Sequence, residues 1–237
     1  MVDKVQQLIP SFIFLALCLI GLTVVFVSYN AANRLRKNSA GQVNSLRVSA
    51  RDFWEKRGVK MNCAPQHKVT GYYDPGDKVS LINAAQADAQ DMISLNTVGH
   101  EGGHAADHER IGDPYRLLDH RPQVICVTIA ITLLSGGVYP LLTWATICLQ
   151  GLYFALNLGA EWSASRWSEK GLESGRFLPA ELKVSQKYNA IALTNYAGMF
   201  SGAFFLCLAL ASIASVTHQS FISSMINSTS LILQTLL

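Results

Sequence analysis

The run His100-Glu101-Gly102-Gly103-His104 sets two imidazoles four residues apart, with a carboxylate directly after the first. Positions i and i+4 share one face of a helix, so both rings can bind a single Zn2+ ion while Glu101 stands beside it to take a proton from a bound water. Only 6 His are present in the whole chain, which makes a coincidental run of this kind rare. Gly102 and Gly103 each weaken a helix by about 1 kcal/mol relative to Ala. What their missing side chains provide is space, either for a substrate or for the close approach of another backbone.

A catalytic zinc takes a third protein ligand and keeps a fourth position for water. His108 continues the same face, but eight residues of helix rise carry it about 12 Å from His100, too far for the same ion. It reads as a surface residue or as one that supports the ligands from behind. Asp107 and Glu109 share the problem of distance. Glu161 is the first charged residue after the long uncharged tract that begins beyond Arg121. It is either the third ligand or an interfacial carboxylate that ends an apolar span. Oxyanion stabilisation needs further donors, for which Tyr72, Tyr73, Tyr115 and Tyr196 are candidates, each with packing as its alternative.

These residues must be held by a helix, and the sequence supplies its ends. The spacing predicts a helix from about residue 87 or 91 to 111, stopped by Gly112 and prevented from continuing by Pro114. Upstream, residues 69–73 and 78–82 flank Asp74-Pro75-Gly76-Asp77 in a strand, turn, strand pattern. The second of these strands, residues 78–82, reads as part of an ordinary internal hairpin, with edge addition of an extended peptide as its alternative. Residues 44–57 read as a further helix.

The rest of the chain is membrane-like. Of 237 residues 50% are apolar and 15% charged, but residues 5–33, 122–160 and 188–237 hold no Asp, Glu, Lys or Arg at all. A span needs about 20 apolar residues. Residues 8–27 meet this and read as an anchor, since the apolar core is longer than that of a cleaved signal peptide. The middle tract is too long for one span and breaks at Ser135-Gly136-Gly137 and Pro140, so it reads as a helical hairpin. The last tract begins with a helix over about residues 190–216 and ends in a tail, 221–237, that spans or lies at the interface. Lys and Arg concentrate in residues 34–121 and 166–187, which places both segments on the cytoplasmic side. A net charge of +3, scattered, does not suit nucleic acid. Of 5 Cys, only Cys63 lies in a polar segment, and no disulfide framework or paired-cysteine metal site exists. No ionisable residue falls within an expected span, which argues against a transporter.

Four ordered stretches carry a resemblance: Tyr73-Asp74-Pro75, then Val98-Gly99-His100-Glu101-Gly102-Gly103-His104-Ala105, then Ala160-Glu161-Trp162-Ser163-Ala164-Ser165-Arg166, then Asn189-Ala190-Ile191-Ala192-Leu193-Thr194. Over residues 39–210 the chain resembles the YugP-type neutral zinc metallopeptidases of bacterial membranes. It departs from their pattern at Gly102, at Ser163, and where Asn195 precedes Tyr196. The resemblance implies an α-helical membrane protein with a small zincin-like α+β catalytic domain and about four transmembrane helices. The expected divisions are an anchor (1–29), the catalytic block (30–121), the transmembrane hairpin (122–160), a loop bearing the third ligand (161–188), a transmembrane helix (189–217) and the apolar tail (218–237). It further implies a zinc endopeptidase of the inner membrane acting on protein or peptide substrates. Its zinc ligands would be His100, His104 and Glu161 and its base Glu101, with Ser165, Tyr72, Tyr73 and Tyr196 as orienting or oxyanion groups. Two other readings compete. A silent zinc-binding scaffold or chaperone would not need Glu101, and an intramembrane site-2-type protease would not place Asp88, Asp91, Asp107, Glu109 and Arg110 around the motif.

Overall fold

Asp91 accepts a hydrogen bond of 2.9 Å from the Ser94 amide and so starts the helix Met92–Ile111, which stops where Gly112 takes φ +81°. A side chain is strained at such a φ, and glycine is not. These are the boundaries expected from the sequence. The computed structural model describes residues 2–40, 48–64, 71–135 and 138–236, with side chains for 6–39, 48–63, 71–135 and 138–218. The described elements are mostly helical and run α1 (Val2–Ala40), α2 (Ala50–Glu55), β1 (Met61–Ala64), β2 (Gly71–Asp74), β3 (Val79–Asn83), α3 (Ala84–Ala87), α4 (Met92–Ile111), a 3-10 helix (Asp113–Asp119), α5 (Arg121–Ser135), α6 (Pro140–Glu173) and α7 (Pro179–Leu236).

Three helical segments are long and apolar enough to cross a membrane: Gln6–Ser39, Pro140–Glu173 and Pro179–His218. The 3-10 helix and α5 meet at 67° and make a fourth only if that bent pair crosses as one. α5 alone has 15 residues, about 22 Å of rise, short of a hydrocarbon core of about 30 Å. The break between α5 and α6 falls at the expected turn, although Gly136 and Gly137 lie outside the described residues.

Two expectations are corrected here. Residues 161–188 do not form a loop, because α6 continues to Glu173 and α7 begins at Pro179. Backbone hydrogen bonding is indifferent to the appearance of a charge, so Glu161 does not end its helix. The actual stop is Ser174-Gly175, where the Gly175 amide turns back to the Leu172 carbonyl at 2.9 Å, and α7 restarts with Glu181 accepting from the Leu178 amide at 2.7 Å. Likewise, α7 does not end near residue 216. It runs unbroken for 58 residues through the tail, of which only the backbone is described beyond residue 218.

The chain divides into two compact units. One comprises Met1–Thr23, Arg121–Phe154 and Gly198–Leu237, and the other Val24–His120 and Ala155–Ala197. The first unit packs by small residues and rings. A Cβ on Gly21 would stand 2.8 Å from the Gly198 carbonyl oxygen, so α1 and α7 touch backbone to backbone, as membrane helices do where side chains are absent. Ile147, Cys207, Leu208 and Ala211 form its buried centre, and Phe154 stacks on Phe200 at 4.7 Å.

The second unit holds the motif. Its sheet has the order β1-β3-β2, with β2 and β3 antiparallel (Tyr73 opposite Ser80) and β1 and β3 parallel (Met61 opposite Ser80). The hairpin is the expected one, its turn closed by Asp74 Oδ1, which accepts from the Gly76 amide at 2.7 Å. Val69 and Thr70 lie outside the described residues, as do 44–47 of the expected helix that appears as α2. β3 is the central strand, paired on both sides, so residues 78–82 are an internal strand of the sheet and offer no edge to an extended peptide. The core gathers on Trp54, fully buried with Ile82, Leu95, Val98 and Leu172. Its indole Nε1 donates to the Leu95 carbonyl at 2.6 Å. Side chains at Gly99 and Gly171 would come within 2.2 and 2.3 Å of the ring, so both glycines are needed for Trp54 to lie between α4 and α6.

Candidate metal centre

His100 and His104 point from one face of α4 at Glu161 of α6. The Nε2 atoms of the two histidines are 3.1 Å apart, and Glu161 Oε2 stands 3.1 Å from the first and 3.6 Å from the second. Around an ion held by tetrahedral bonds of about 2.0–2.1 Å, neighbouring donors stand about 3.3–3.4 Å apart. The observed triangle brackets that spacing. The three residues form the metal-competent group among the described residues, and Glu161 is 1% exposed. A buried carboxylate held against two imidazoles is the donor set a divalent ion would stabilise.

Each imidazole is steered through its other nitrogen. Ser165 Oγ lies 3.2 Å from His100 Nδ1, and the Tyr115 hydroxyl lies 2.6 Å from His104 Nδ1. Both Nε2 atoms are therefore left for the shared point. Glu161 and Ser165 are one helical turn apart on α6, so a single face of that helix supplies a donor and the partner of another. Gly103 makes the approach possible, since a Cβ there would stand 2.7 Å from both the Cα and the carbonyl oxygen of Ala164. Gly102 meets Val59, 2.8 Å from its absent Cβ. Of the two uses foreseen for these glycines, the structure shows close packing.

Glu101 is buried beside the triangle. Burial pushes its carboxyl above the usual carboxylate range, opposed by the two histidines and by the Tyr73 amide, which donates to it, and reinforced by the charge of Glu161. Gly71 of β2 borders it, since a Cβ there would lie 3.1 Å from Glu101 Cγ and 3.2 Å from Oε1. The short strand thus limits where the Glu101 carboxylate can go. His108 is not a surface residue. It is 3% exposed, and its Nδ1 lies 2.8 Å from the Tyr73 hydroxyl. It stands outside the triangle, as helix rise requires.

Of the other residues named from sequence, Ser165 reaches the site and Tyr73 reaches it through its amide. The Tyr72 hydroxyl donates to Asp119 at 2.6 Å, and Tyr196 lies half-buried on α7. Cys63 sits on β1, where burial raises its thiol above the ordinary value, as suits a packed side chain. Sequence reasoning missed a buried amide network behind α6. Asn96 Nδ2 donates to Asn189 Oδ1 at 2.6 Å, Ser185 Oγ donates to Asn96 Oδ1 at 2.6 Å, and Ser168 Oγ donates to the Asn96 carbonyl at 3.1 Å. Asn96 lies one turn before His100, a spacing that marks the same face and was the available signal. Searches against protein-family models, curated proteins and solved structures return no match to the chain.

Proposed function

We propose that the chain is a membrane-anchored, zinc-dependent endopeptidase of the YugP type, with the second unit as a zincin-like catalytic domain. The observation that carries this reading is the convergence of His100, His104 and Glu161 to mutual distances of 3.1–3.6 Å with an independent, buried carboxylate, Glu101, beside them. A site built only to hold an ion has no use for that fourth group. Three protein donors leave one position of a tetrahedral ion for water, the arrangement of catalytic zinc.

Bound there, zinc would lower the pKa of a water toward about 7 and polarise a peptide carbonyl. Glu101, buried beside the triangle, would take the water proton at its carboxylate and return it to the departing amine. The Tyr73 amide holds the carboxylate in place meanwhile. Ser165, 3.2 Å from His100 Nδ1, would limit the turning of that imidazole. The unit faces the cytoplasmic side of a bacterial inner membrane in this reading, supported by the Lys and Arg distribution.

The test uses the full chain purified in detergent, with zinc content and casein cleavage measured with and without chelator. Glu101→Gln is expected to keep about one zinc per chain and lose at least about 100-fold in turnover. Glu161→Ala is expected to lose both. Normal zinc in Glu161→Ala would overturn the ligand assignment, and undiminished cleavage by Glu101→Gln would overturn the peptidase mechanism.

A further inference from the structure

The 3-10 helix Asp113–Asp119 is exposed or half-exposed at every residue except Tyr115, which is 6% exposed. A short surface helix that buries one side chain is organised around that side chain. Gly112, at φ +81°, turns the chain out of α4, and Pro114 follows at the start of the new helix. The reversal brings Tyr115 back along the face of α4 it has just left.

There the ring enters an aromatic box. It stacks on His108 with centroids 5.4 Å apart and planes at 14°, and meets Tyr73 edge-on at 6.3 Å. Tyr73 and His108 are joined by their own hydrogen bond of 2.8 Å, and both are buried. His108 Nε2 has no hydrogen-bond partner among the described residues. An unpaired buried polar atom costs stability, because the hydrogen bond it made to water is not replaced. Burial, then the charges of Lys78 and Arg116, hold His108 below its ordinary pKa, which favours an uncharged ring against Tyr115. An aliphatic residue would fill this space without that cost, so the flat ring and its bond to Tyr73 have a use beyond filling it.

We propose that Tyr115 is a positioning residue for the metal centre: its hydroxyl fixes the ring of His104 through Nδ1, and the Tyr73–His108 pair fixes Tyr115. With Nε2 given to an ion, His104 Nδ1 carries the proton and donates it to the Tyr115 oxygen, so one hydrogen bond sets both the tautomer and the plane of the ring. Metal-binding histidines elsewhere obtain this from a carboxylate or a carbonyl. A phenol serves here because the neighbouring carboxylates, Glu101 and Glu161, are already engaged in other roles. This inference rests on His104 as a metal ligand and is independent of whether the bound ion cleaves peptides.

The experiment measures Zn2+ affinity by chelator competition, and the visible spectrum of the Co2+-loaded protein, on the full chain in detergent. Tyr115→Phe removes one oxygen and keeps the ring, so the metal-free variant should fold and unfold in one transition, a few degrees below wild type for the lost buried hydrogen bond. Its zinc affinity is expected to fall 10- to 100-fold, within the range for lost partners of ligating histidines, and its Co2+ bands should shift. Tyr73→Phe, one bond further away, should weaken binding by a smaller factor, and Tyr188→Phe, whose hydroxyl accepts from Arg36 at 3.1 Å, should change nothing. Wild-type affinity and spectrum in folded Tyr115→Phe would overturn the proposal, as would a larger loss in Tyr73→Phe. A wild-type chain that takes up no ion would overturn the ligand reading itself, a result visible before any substitution is made.

Discussion

Replacing Gly103 by Ala tests whether the crossing of α4 and α6 sets the metal geometry. The new Cβ would stand 2.7 Å from Ala164 Cα and 2.7 Å from its carbonyl oxygen. Carbon atoms pack comfortably at about 3.5–4.0 Å, so the helices must part by about 1 Å, and both obstacles are backbone that no rotamer change relieves. For stability two terms oppose each other. Ala gains about 1 kcal/mol of helix propensity over Gly, and overpacking costs about 1–3 kcal/mol. The metal-free protein should therefore lose no more than about 2 kcal/mol. For the metal nothing offsets the shift. Glu161 lies one turn before Ala164, 1% exposed with no room to reach, and its Oε2 already stands 3.1 and 3.6 Å from the histidine donors. Another 1 Å or so takes it out of bonding range of an ion seated between them, and losing a ligand should reduce affinity beyond the roughly 10- to 100-fold of a lost outer partner. Unfolding in chelator and metal content after dialysis against dilute chelator are the two measurements. The expected result is a folded variant without metal beside a wild type that retains one ion per chain. Equal retention by Gly103→Ala would refute the reasoning, because the donor triangle would then not depend on this crossing.

Gly171→Ala should unseat Trp54, whose ring lies 2.3 Å from the added Cβ, and lower stability by about 1–3 kcal/mol in chelator unfolding. Glu101→Gln should stabilise the metal-free protein at high pH. Burial raises the Glu101 pKa above its ordinary 4.5, so its contribution is fully present below that value and is lost as pH rises through the folded pKa. The variant should thus unfold later than wild type at pH 8 and match it at pH 4, and coincident curves at both would contradict the assignment. Reporter fusions after residue 175 should be silent for phosphatase while one in the 136–139 turn is active, and the reverse pattern would invert the proposed orientation.

Local rules reached as far as local causes do. Asp91, Gly112 and Pro114 end α4 through their own backbone preferences, and Asp74-Pro75-Gly76-Asp77 closes its turn within four residues, so both were legible. The motif residues followed once the helix was placed. β1 was not legible, because four residues that pair in parallel with β3 carry no alternation long enough to read. The course of α6 past Glu161 was hidden for a different reason. Charge marks where a side chain meets water or an ion, and the helix ends where glycine and proline stop it. Tyr115 was named only as one of four possible donors, since its bond to His104 depends on a chain reversal set by Gly112. Gly103 carried its signal in the sequence, as space for another backbone, whereas the need for Gly99 and Gly171 shows only with the Trp54 ring that they admit.

Trp54 has a consequence for observation. It lies between α4 and α6 and stacks on Trp167, a residue of α6, with centroids 5.2 Å apart and planes at 25°. Two indoles this close couple their electronic transitions, and the coupling falls steeply with separation. The pair should give the protein a circular-dichroism couplet in the indole bands, and the couplet would weaken whenever Trp54 leaves its place against α6. The seating of the tryptophan that lies between the helices of the histidines and Glu161 should in this way be followed by light, without a label and without a substrate.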